Sequence, residues 1–115
     1  MVQLQALNYI LKNKDTDLLT TYGPEFYFNY SKEYKCIREH FDQTGEVIDI
    51  LQMLENFPNF TVITENNIDY KSSIEKKLFD EYMYHFTKIF IDTHDMSDPK
   101  AKEDFTKQLE KIKQP

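Results

Sequence analysis

Apolar residues recur along this chain at intervals of three and four, the spacing that keeps side chains on one face of an α-helix. Leu4, Leu7, Ile10 and Leu11 form the first stripe and predict a helix ending near Asn13-Lys14. Asp15 or Thr16 then offers a side-chain oxygen to an unpaired backbone N–H, opening a short second helix, Asp17 to Thr21. Gly23-Pro24 stops it. Phe26, Tyr27 and Phe28 follow with no room for a long element, so their rings are expected to wedge inward between helices. Asn29 or Ser31 is the expected cap of the next helix. There Tyr30, Tyr34, Ile37 and Phe41 face a core, and Lys32, Glu33, Lys35, Arg38, Glu39 and Asp42 lie opposite. Gly45 stands where a helix end favours the left-handed conformation that glycine adopts without steric cost.

The second half of the pattern is greasier. Asp49 and Gln52 have the spacing of a capping box, and Ile50, Leu51, Leu54 and Phe57 are the expected apolar face of the helix they open, with Pro58 marking its end. Asn59 to Asn67 reads as a packed loop, since a lone strand through Phe60, Val62 and Ile63 has no partner. From about Asn67 to Thr93 runs the longest stripe: Ile74, Leu78, Tyr82, Phe86 and Ile89, widened by Phe79, Met83 and Phe90. A turn at His94 to Asp98 leads into a last helix, with Asp98 as cap and Pro99 at the first position, where its missing N–H costs nothing. Its stripe is thin: Ala101, Phe105, Leu109 and Ile112. The expected fold is therefore all-α, with a multi-helix head over residues 1–70 and a helical hairpin over 71–115 of the same single domain. The first arm of that hairpin is more apolar than its second can cover. The surplus predicts self-association through Phe79, Tyr82, Met83, Phe86 and Phe90.

Composition narrows the function. The 115 residues suit one domain that buries roughly two thirds of its unfolded surface. A 15% share of Phe and Tyr with no Trp implies a core of rings on helices, and two glycines and four prolines are too few for an all-β chain. The net charge is −6. Residues 1–99 hold 9 basic and 17 acidic side chains, and residues 100–115 hold 5 and 3, so direct nucleic-acid binding is not expected. A single cysteine, Cys36, allows no internal disulfide. The chain carries no signal segment and no long apolar run, which points to a cytoplasmic protein with no membrane span.

Candidate chemistry is sparse. With only Gly23 and Gly45, no glycine-rich phosphate loop exists, so the chain is not expected to be an enzyme, and no cofactor is expected. Asp92, His94, Asp95 and Asp98 resemble no established metal-loop spacing and read as a solvated turn with capping roles. His40 and His85 have no local ligand partner. Cys36 reads as an inert, half-buried thiol; the alternative is a pKa lowered by the nearby Lys35 and Arg38. Glu25, Glu33, Glu39 and Glu46 form no enforced acid and base pair. Lys100, Lys102, Lys107, Lys111 and Lys113 read as a solvated helix face.

The order of four short segments carries a resemblance. They are Leu4-Gln5-Ala6-Leu7-Asn8-Tyr9-Ile10-Leu11, Pro24-Glu25-Phe26-Tyr27, Ile37-Arg38-Glu39-His40-Phe41 and Gly45-Glu46-Val47-Ile48-Asp49. Together they resemble the N-terminal domain of DnaB-type replicative DNA helicases, in which an "ALLGAIL"-like helix precedes "P-E-x-F-Y" and a helix running into "G-x-x-[VI]-D". The likeness covers residues 3 to about 57. It departs at Asn8-Tyr9, where the family has Gly-Ala, and at Asn59 to Asn66, where the family has "G-G-x-x-Y-L", marking a divergent sequence of the phage or mobile-element kind. The resemblance implies an all-α head and hairpin without an ATP site. Such a domain pairs with a second copy, joins a hexamer in the full-length helicase, and docks a primase or a helicase loader in DNA replication. A related helical fold occurs in the helicase-binding end of bacterial primase. The alternatives are a stand-alone adaptor or inhibitor that mimics this domain, and a small enzyme or ligand carrier with an aromatic pocket near Tyr27, Tyr30 and Tyr34.

Overall fold

Six α-helices account for most of the described residues, 2–112 of a computed structural model, and no strand occurs among them. They are α1 (Val2–Asn13), α2 (Thr16–Thr21), α3 (Ser31–Thr44), α4 (Ile50–Asn56), α5 (Lys71–Thr93) and α6 (Pro99–Lys111), with single 3-10 turns at Pro24–Tyr27 and Glu65–Asn67. The all-α class expected from the sequence is the class observed. The chain forms two compact units, Met1–Leu78 and Phe79–Pro115, so α5 gives its first two turns to one unit and the rest to the other.

Local chemistry sets most helix limits. Asp15 caps α2 by accepting from the backbone N–H groups of Asp17 and Leu18. Gly45 ends α3 in the left-handed conformation at φ 75°, its N–H donating to the Phe41 carbonyl. Asp49 and Gln52 form the capping box of α4. Asp98 accepts from Lys100 N at the start of α6, with Pro99 next in line. Two expectations are corrected. Neither Asn29 nor Ser31 caps α3, because the 3-10 turn runs straight into it through Tyr30, whose N–H bonds Tyr27 O and whose carbonyl receives Tyr34 N. Leu51 is 76% exposed while Met53 is fully buried, since each helical residue advances about 100° and Met53 lies nearer the Ile50 and Phe57 side of α4.

In the N-terminal unit α1 is buried over most of its circumference: Ala6, Leu7, Ile10 and Leu11, together with the polar Gln3 and Asn8. Those amides are satisfied by loop backbone, as burial requires. Gln3 Oε1 accepts from Asn29 N at 2.9 Å, and half-buried Gln5 accepts from Asp69 N at 3.2 Å. The Asn8 side chain donates to Leu4 O and Thr61 O and accepts from Ile63 N at 2.8 Å. The loop after α4 is therefore pinned to α1 without forming a strand, and Phe60 is tucked beneath it.

Rings complete this core. Tyr27 is fully buried, stacks on Tyr34 at 4.6 Å and donates to Leu18 O, while the Tyr34 hydroxyl and Arg38 both donate to Leu19 O. Two carbonyls near the end of a short helix are thereby satisfied by side chains. Burial raises the pKa of both phenols above the ordinary tyrosine value, most strongly for Tyr27.

Candidate interaction surface

In the C-terminal unit the later turns of α5 meet α6 through rings. Phe105 lies parallel to Phe86 at 5.9 Å and tilted against Phe90 at 4.9 Å. Phe90 also stacks on the His94 imidazole at 3.8 Å, and His94 Nδ1 lies 3.1 Å from Phe90 O, where α5 ends. The turn beyond is closed by Asp95, which accepts from the backbone and hydroxyl of Ser97. Those bonds, the hydroxyl one first, hold its carboxyl below the ordinary aspartate value.

Burial sorts the five residues expected at a self-association face. Phe90, at 3% exposure, is buried, with Phe86, Phe105 and His94 against its ring. Phe79, Tyr82, Met83 and Phe86 are half-buried, with Tyr82 and Phe86 in ring contact at 6.3 Å. Ile89 belongs to the expected stripe yet is 48% exposed, because Phe90 rather than its neighbour meets Phe105. Tyr84 (73% exposed) and Ile91 (52%) add apolar surface that was not anticipated. Their seven-residue separation was the available signal, since it puts both on one line of the helix.

Several residues weighed for chemistry are engaged structurally. Asp95 and Asp98 close the turn and cap α6, and no group of three or more His, Cys, Asp or Glu among the described residues is arranged to hold a metal ion. Gly23 precedes a 3-10 turn and Gly45 ends a helix, so neither glycine opens a helix of eight or more residues as a phosphate loop would. Burial, and then the nearby Glu39 carboxylate, push the half-buried Cys36 thiol above its ordinary pKa, in line with the favoured reading of an inert thiol and against a lowering by Lys35 and Arg38. Both cations are turned to acids instead: Lys35 lies 3.9 Å from Glu39, and Arg38 Nε lies 3.0 Å from Asp42. No described helix is long and apolar enough to cross a membrane. No protein-family model, curated protein or solved structure matches the chain.

Proposed function

We propose that this chain is a protein-interaction domain that associates with a second copy through the α5 side of its hairpin, serving as the assembly and docking domain of a DnaB-type replicative helicase. The observation that carries self-association is the poor burial of the C-terminal unit. Phe90 and Ala101 are its buried apolar residues among those described, while Tyr82, Met83 and Phe86 remain half open and Ile89 and Ile91 are about half exposed. A unit of this size, below about 40 residues, normally needs an external support to keep such a face from water. The helicase assignment is supported by the ordered segments at residues 3 to 57 and by the succession of helices they enter. In this reading the chain carries no ATP chemistry, and primase or a loader is the heterologous partner.

Light scattering of the purified chain tests the first part. A dimer is expected that falls to a folded monomer in Phe86→Glu, because burying a carboxylate at an apolar contact costs far more than the contact returns. A monomeric wild type, or a variant that stays dimeric, overturns it. Titration with a primase helicase-binding domain tests the second part. Heat of binding is expected, and silence at near-millimolar concentrations would leave the self-associating adaptor.

A further inference from the structure

The N-terminal unit carries two surface depressions that share Asn56 and Phe57 as a common wall. α3 and the residue before it border both. Tyr30 and Glu33 line the first, of about 320 Å³, and Cys36, Glu39, His40 and Gln43 line the second, of about 370 Å³. From Tyr30 to Gln43 the helix rises roughly 20 Å, the reach of about six extended residues. The first depression has apolar walls, with Leu4 and Phe57 half-buried and Phe60 buried. The polar residues Tyr30, Glu33 and Asn59 also line it. None of the three side chains makes a hydrogen bond or ion pair among the described residues. An apolar wall bordered by a few unpartnered polar residues is the usual composition of a recognition site.

Charge selects the occupant. Glu33 is the charged side chain in the described lining of the first depression, and Glu39, held only loosely by Lys35 at 3.9 Å, lies in the second. Residues 1–78 hold 8 Lys and Arg against 12 Asp and Glu, so an anion approaching this unit meets like charge. Arginine suits the lining better than lysine. Its planar fork can pair both oxygens of Glu33 while its face and stem rest on an aromatic wall. We infer that this trough binds an extended, arginine-bearing segment of a partner protein. The inference is independent of self-association, which uses the other unit.

The test uses the full chain and a fluorescein-labelled peptide, acetyl-Gly-Arg-Leu-Arg-Phe-Gly-amide, beside a twin in which citrulline replaces both arginines. Anisotropy reports affinity, and amide chemical shifts report position. The arginine peptide is expected to bind and to shift Tyr30, Glu33 and residues 57–61. Affinity should drop about tenfold or more for the citrulline twin and for Glu33→Lys, with a smaller loss for Glu33→Gln. These variants should retain the wild-type circular dichroism and the Phe86-dependent self-association. Absence of binding at millimolar peptide, shifts confined to other surfaces, or equal affinity for the citrulline twin or for Glu33→Lys would overturn the site.

Discussion

Seventeen apolar side chains of the N-terminal unit fall in the buried class, against two in the C-terminal unit among the described residues, yet both units are helical and both are rich in rings. The difference lies in how many directions a helix is covered from. α1 is surrounded, so its polar Gln3 and Asn8 are buried too and must find backbone partners. The outer part of α5 has α6 as its companion within the unit, and only Phe90 finds full cover there. A helix stripe is therefore a statement about demand for burial, and topology decides how much of that demand one chain can meet.

The largest expected effect comes from cutting into the better-covered unit. Leu7→Ala removes fully buried methyl groups and should cost roughly 3–5 kcal/mol in chemical denaturation. Phe86→Ala, at a half-buried ring, should cost the isolated chain only about 1–2 kcal/mol. The same variant should nevertheless weaken self-association strongly. If Leu7→Ala and Phe86→Ala prove equally destabilising under monomeric conditions, the contrast between the units fails. Amide exchange sharpens it further, with slow exchange expected in α1 and α3 and faster exchange in α6.

Next in size is Asn8→Leu, which keeps the volume but strips Thr61 O and Ile63 N of their partner. A loss of about 2–3 kcal/mol is expected, with the loop at 59–67 loosened in amide exchange and α5 untouched. This residue also explains what the sequence could and could not reveal. Local codes were readable: the Asp15 and Asp98 caps, the Gly45 stop and the Asp49–Gln52 box each act within a few residues of themselves. Asn8 acts across more than fifty residues, and no periodicity encodes such a bond. The candidate surfaces were readable to a lesser degree. Stripe arithmetic finds the apolar residues of α5 but cannot tell Phe90, turned to Phe105, from its exposed neighbours Ile89 and Ile91. The trough beside α3 was invisible for the same reason, since Leu4, Glu33 and Phe57 come together only on folding.

The smallest effect concerns the foot of α5, where a single cation ties the long helix to α2. Lys71 Nζ lies 2.8 Å from Asp15 and 3.2 Å from Asp17. Burial works against the Asp15 charge, but the Lys71 hydrogen bond and the backbone N–H groups it caps outweigh that, and its pKa ends below the ordinary value. The Asp15 hydrogen bond, ahead of that from Asp17, raises the pKa of Lys71 in turn. A depressed carboxylate contributes stability that is complete above its unfolded pKa, about 4, and is lost as pH falls through its lower folded value. A raised lysine contributes below its unfolded pKa, about 10, and loses that only on further alkalinisation. The pair is therefore fully effective across the neutral range. Lys71→Met should cost about 1 kcal/mol at pH 7, since Asp17 is largely exposed and adds little. It should also shrink the acid-induced loss between about pH 5 and pH 2 without abolishing it, because Asp15 still caps α2. Asp15→Asn keeps a capping oxygen and removes the titration, so its acid dependence should be the flatter of the two. Melting curves of the three proteins across that range decide the matter: identical slopes would mean that the cap and the cation are not coupled.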